Sequence, residues 1–165
     1  MKLIDLLFLG ILILTTSTIG CAYGKLPSTF DATLELDQEW KGIRAGTYPV
    51  EIHVGKKIGS ELKIISGETT LLALPKNRIK HTQDMSQESL GASSTTTDHF
   101  IAQGLDNITI EGDVMSRYVA DSVCKEIPSG RNCWSRDAWS VKLNFTISNG
   151  SVVIGHITGK QIVHW

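Results

Sequence analysis

Residues 139–150 read WSVKLNFTISNG. Trp139, Val141, Leu143, Phe145 and Ile147 alternate without a break against Ser140, Lys142, Asn144 and Thr146. That is the period-two pattern of a strand with one face in a core and the other in water. Asn149 and Gly150 both tolerate positive φ, so they predict a two-residue type I′ turn, after which 151–158 returns as the partner strand. With that turn Ile147 opposes Val152, Phe145 opposes Ile154 and Leu143 opposes His156. The register then points His156 at the core and sends Val153 and Ile157 outward. Residues 161–165 read as one more strand.

The same rhythm runs through most of the chain. Phe30, Ala32, Leu34 and Leu36 alternate with Asp31, Thr33, Glu35 and Asp37. Tyr48, Val50, Ile52 and Val54 repeat the pattern, and Pro49 marks a ladder edge because proline has no N–H to donate. Apolar runs at 62–65 and 69–74 flank Ser66-Gly67, a hairpin turn. Ile108, Ile110, Val114, Ser116, Tyr118 and Ala120 keep one parity through Gly112, a place for a bulge or a bend. No comparable stretch carries 3.6-residue spacing. The expected fold is all-β: an antiparallel sandwich or flattened barrel of about 7–9 strands. One segment breaks the rhythm. Residues 75–99 are mostly Lys, Gln, Asp, Ser, Thr and Gly, and they read as a long mobile loop.

The first 24 residues decide the compartment. A lysine at position 2, an apolar run from Leu6 to Leu14 and small residues from Thr15 to Gly20 have the layout of a secretory signal. The run is too short to span a bilayer, which needs about 20 residues. Thr18-Ile19-Gly20-Cys21 resembles the lipobox of bacterial lipoproteins, with Thr18 standing where Leu is usual. That resemblance implies acylation of Cys21, a palmitate-bearing anchor and a place in the periplasm, outer membrane or cell surface. Ordinary cleavage after Ala22-Tyr23-Gly24 would instead leave Lys25 as the first residue of a secreted domain. Residues 25–165 are then one domain, large enough for a single core.

Either exit leaves Cys124 and Cys133 as the only cysteines of the folded part, and in an oxidising compartment they predict one local disulfide. Pro128 and Gly130 supply the turn between them. Net charge is −1 with or without the leader, which argues against nucleic acid as partner. Five scattered histidines offer no metal-ligand spacing, and no nucleophile, phosphate-loop or dinucleotide motif is present. Asp98-His99 near Ser93 and Ser94 is the nearest approach to a nucleophile group. No enzyme activity, metal or cofactor is therefore expected.

The contact surface predicted from sequence is Cys133-Trp134-Ser135-Arg136-Asp137-Ala138-Trp139. Trp and Arg dominate binding energetics, so Trp134, Arg131 and Arg136 are the candidate partner-binding residues. Trp40, following the first strand, is a fourth candidate that either caps the end of the core or adds to an aromatic rim, and Trp139 is expected in the core. The expected function is an exported, non-enzymatic envelope or surface protein acting through protein–protein contact, either a lipoprotein or a subunit of a surface structure. In subunits of that kind a strand is donated between neighbours, here Lys25–Thr29 with Phe30–Asp37. Two alternatives stand. One is a small-ligand-binding β-barrel carrier. The other is a secreted eukaryotic glycoprotein using the sequons at Asn107, Asn144 and Asn149.

Overall fold

The computed structural model describes residues 27–87 and 94–164, so the expected signal segment, Cys21 included, lies outside the described residues. Nine strands follow in chain order: β1 Thr29–Leu36, β2 Gly46–His53, β3 Glu61–Ser66, β4 Thr69–Pro75, β5 Ile79–Gln87, β6 Ser94–Gln103, β7 Ile108–Ile127, β8 Gly130–Asn149 and β9 Val152–His164. They form one antiparallel sheet in the order β4-β3-β2-β1-β9-β8-β7-β6-β5. Every neighbour is the next strand in sequence except at one place, where β9 pairs with β1 and brings the sheet nearly round into a barrel. A single 3₁₀ turn, Lys76–Arg78, joins the two free edges, β4 and β5. The loop between β2 and β3 lies against that seam: a Cβ on Gly59 would sit 2.6 Å from the His81 ring of β5.

The interior is built from rows of inward side chains. One row runs from Phe100 through Gly112, Phe145 and Ile157 to Leu34, and the next from Ala102 through Ile110, Ile147 and Gly155 to Leu36. Their side chains are 0–4% exposed. Gly112 is not a bulge, since β7 and β8 keep register across it. A Cβ there would lie 2.0 Å from the Asn144 carbonyl oxygen. With none in the way, the Phe100 and Phe145 rings meet across it with centroids 5.8 Å apart.

The last hairpin departs from its expected register in two ways. Asn149 pairs with Val152, so the turn residues are Gly150 and Ser151, one step later than expected. Positive φ falls on Gly150 (59°) and not on Ser151, the type II′ pattern. The β3–β4 turn repeats it: Ser66 pairs with Thr69, leaving Gly67-Glu68, with Gly67 at φ 58°. β9 then bulges at Ile154, so that Ile147 opposes Gly155 and Phe145 opposes Ile157. The extra residue reverses parity beyond it. Ile157 is buried and His156 is exposed, close to Thr146 Oγ1, which corrects the expectation for both.

Residues 75–99 are not one long loop. β5 and β6 form a regular ladder from Ile79↔Ala102 to Gln87↔Ser94, and only 88–93 lie outside the described residues. Thr95, Thr96 and Thr97 are β-branched and favour strands. β5 is an edge strand, where polar side chains suit solvent and discourage pairing with other chains. β1 is central, laddered to β2 on one side and β9 on the other, so in this chain the suspected donor strand pairs within its own barrel. Pro49 sits where β2 has no β3 partner, as a residue without an N–H should.

Gly112→Ala is expected to destabilise the barrel by at least about 2 kcal/mol, because the new methyl meets β8 backbone that cannot swing aside. A fall in the thermal midpoint, with the far-ultraviolet strand signal kept below it, is the measurement.

Candidate functional site

β7 and β8 are 20 residues each, far longer than the strands beside them. β6 accompanies β7 only as far as Arg117, and β9 accompanies β8 only as far as Ala138. Among the described residues, the pairs from Ala120↔Asp137 to Ile127↔Gly130 therefore stand as a two-stranded arm, about 25 Å long at about 3.3 Å per residue. The antiparallel order places the arm, the start of β1 and the end of β9 at the same rim. Pro128-Ser129 turns the arm's tip, with Gly130 following at φ 130°.

A free two-stranded ribbon is marginal in water. Two devices hold this one. Cys124 and Cys133 are directly opposed and joined, with Cα atoms 4.1 Å apart. Closing that loop contributes about 2.5–3 kcal/mol by loop-entropy reasoning. At the root, Trp139 is buried at 6% exposure in the core, as expected, and Tyr118 packs edge-on against it with centroids 6.0 Å apart. The Tyr118 hydroxyl donates to the Asp137 carboxylate. That bond, with burial and the nearby negative charge behind it, raises the Tyr118 pKa above 10.0.

Alternation sorts the arm's residues onto two faces. Tyr118, Asp137, the disulfide, Glu126 and Arg131 share the face that continues the barrel interior. Arg131 Nε lies 3.8 Å from Glu126 Oε1 there. Arg117, Val119, Lys125, Ile127, Trp134, Arg136 and Ala138 share the other face, which continues the outer wall. The sequence grouping of Trp134 with Arg131 and Arg136 is thus divided: Arg136 keeps company with Trp134, and Arg131 does not. Trp134 is 46% exposed. Its neighbour Cys133 faces the opposite way, so the indole does not cover the disulfide. Trp40 belongs to the core at 5% exposure, with Lys41 Nζ 6.0 Å from its ring centroid, and presents no surface to a partner.

At the foot of the outer face lies a hollow of about 420 Å³ lined by Thr95, Met115, Arg117, Val119, Lys142 and Lys160 among others. Lys142 and Lys160 are directly opposed across β8 and β9. Like charges in that position repel, and no carboxylate pairs with either among the described residues. Sequence reading missed this site because its cations come from three strands 18 to 43 positions apart, and only the register brings them together.

Two further polar clusters lie on β5, β6 and β7. Asp98 is fully buried, its Oδ1 2.8 Å from His81 Nε2 and 2.9 Å from Gln83 Nε2. His99 faces outward, with Nδ1 2.7 Å from Asp113 Oδ1. Asp98 and His99 thus point to opposite faces of β6 and form no working unit, while Ser93 lies outside the described residues. Among the described residues no group of three or more His, Cys, Asp or Glu is placed to hold a metal ion. Compared with family models, curated proteins and solved structures, the chain matches none.

Reduction, or Cys124→Ser, should raise amide hydrogen exchange sharply across 119–138 while the barrel ladders keep their protection; hydrogen-exchange mass spectrometry reads both. Tyr118 is a group whose folded pKa is raised. The stability it lends is fully present below 10.0 and is lost as pH climbs through the higher folded value. An ultraviolet phenolate titration should show one late tyrosine, absent in Tyr118→Phe.

Proposed function

We propose that this protein is exported and works without catalysis at a cell envelope or surface, by protein–protein contact through the stapled arm. The observation that carries this reading is Trp134, a large indole 46% exposed on a disulfide-linked ribbon that, among the described residues, has no flanking strand. Folding drives such side chains inward, and binding surfaces are where exposed ones concentrate. The disulfide orders the arm beforehand, so docking loses little conformational entropy. The cross-strand disulfide also suits an oxidising compartment, in keeping with the expected signal and with either exit, an acylated Cys21 or a free Lys25. The carrier alternative draws less support, because the inward rows are filled by Phe30, Leu34, Phe100, Phe145 and Ile157. The sequons of the glycoprotein alternative do sit at exposed positions, Asn107, Asn144 and Asn149.

Trp134→Ala should reduce capture of the partner in a pull-down from the native envelope at least about tenfold, with the thermal midpoint unchanged. Val153→Ala, an equally exposed barrel position (43%), should leave capture intact. Undiminished capture by the Trp134 variant, or loss of its fold, defeats the reading.

A further inference from the structure

The seam between the two free edges carries a hollow of its own. It measures about 290 Å³ and is lined by Lys57, Ile58, Gly59 and Ser60 of the β2–β3 loop and, across the seam, by Lys76, Ile79 and His81. Backbone bonds fix the loop. Val54 N–H donates to the Ser28 carbonyl at 2.9 Å, Gly59 N–H to that of Val54 at 3.0 Å and Ser60 N–H to that of Lys57 at 2.9 Å. Gly59 takes φ 82°, and its lack of a side chain lets the loop close on the His81 ring. The walls therefore stand in place before any ligand arrives.

His81 is its anchored member. Its Nε2 faces the fully buried Asp98, which also accepts from Gln83, and Phe100 packs on the ring with centroids 5.0 Å apart. With Nε2 donating inward, Nδ1 is the ring atom left for a ligand. It lies on the Gly59 side, 2.8 Å from where a Cβ on that glycine would stand, and has no hydrogen-bond partner among the described residues. When both nitrogens carry protons the ring is a cation, and Asp98 balances that charge from within the barrel. Lys57 and Lys76 bring two ammonium groups to the same space. Neither is in an ion pair among the described residues. Glu61, near in sequence, is taken by Lys63 at 2.9 Å. Arg78 and Lys80 line the adjoining hollow beyond Ile79, and Glu111, in line with Lys80 across β6, is 3.7 Å from His99 Nε2. A concave site with cations on its walls focuses the field and draws anions. Its donors approach from both sides of the seam. A tetrahedral oxyanion presents acceptors in all those directions, whereas a carboxylate offers two oxygens in one plane. The volume is at the small end for ligand sites and suits one headgroup rather than a chain.

We propose that this hollow binds a phosphate monoester, with Lys57, Lys76, the Ser60 hydroxyl and His81 Nδ1–H donating to its oxygens and Asp98 acting as the positioning residue for His81. The site goes beyond the protein-contact reading above and does not depend on the arm.

The probe is glycerophosphate, titrated into the mature full chain by isothermal calorimetry, with glycerol and acetate as comparators. Saturable binding of the phosphate ester is expected, none of glycerol, and acetate weaker by at least about tenfold. The Lys57→Gln/Lys76→Gln double variant should lose at least about tenfold in affinity with its thermal midpoint unchanged, because both side chains are exposed. Lys41→Gln/Arg44→Gln removes the same charge from the β1–β2 loop, at the other end of β2, and should bind like the parent. In spectra of isotopically labelled histidine, His81 Nδ1 should shift during the titration while His156 stays in place. Phosphatidylcholine vesicles containing phosphatidic acid identify the source of the ester: co-sedimentation that the double lysine variant loses assigns a lipid headgroup, and binding confined to glycerophosphate assigns a free small molecule. Absence of saturable binding, equal binding of glycerol or acetate, an unaffected Lys57/Lys76 variant, an equal loss in the Lys41/Arg44 variant, or an unmoved His81 signal overturns the proposal.

Discussion

The ladder between β1 and β9 is the constraint on which this architecture rests. It joins the first and last strands of the meander; because β4 and β5 are unpaired edges, without it the chain would be two separate sheets, β1 to β4 and β5 to β9, each with its apolar face in water. The ladder forms because the β9 bulge at Ile154 turns Gly155, Ile157 and Gly159 toward the interior. A Cβ at Gly155 would lie 2.5 Å from the Glu35 carbonyl oxygen, and one at Gly159 2.7 Å from that of Asp31. Glycine at both positions lets the β1 backbone come close, and Ile157 between them fills the space beside Leu34. One inserted residue thus sets which half of the last strand is core.

Much of this fold was legible in the sequence, because two-residue alternation is the direct imprint of a half-buried strand. The row from Trp139 to Ile147 is inward as its pattern requires, and Cys124 meets Cys133. What escaped was what alternation cannot encode. Asn149-Gly150 is a favoured hairpin pair, yet the chain turns at Gly150-Ser151, and composition alone does not separate neighbouring turn registers. A bulge leaves no mark of its own, so His156 and Ile157 exchanged faces. β5 was invisible because an edge strand with a wet outer side need not alternate.

The site was legible in part. The Cys124–Cys133 staple was found from residue type and spacing, and Trp134 is exposed on the arm that carries it. The division of Arg131 from Arg136 follows from parity along β8, which the motif reading ignored by treating a strand as a patch. Lys142 and Lys160 were beyond reach, since their meeting depends on the shifted hairpin register. Trp40 illustrates the opposite limit: an aromatic beside charged residues looks like surface, but its indole is nearly inaccessible and Lys41 lies over the ring. Among the described residues the arm has no flanking strand, and the disulfide joins its two strands covalently where packing holds those of the barrel.

The common rim of the arm, the start of β1 and the end of β9 fixes how this protein can face its surroundings. A fusion tag or solid support attached directly at Thr29 or His164 stands at the foot of the ribbon and leaves the far side of the barrel pointing away. The working distance from an attachment plane is then the ribbon's own reach and not the diameter of the body behind it. A short tether crowds the ribbon against whatever it is fastened to; a longer spacer frees it.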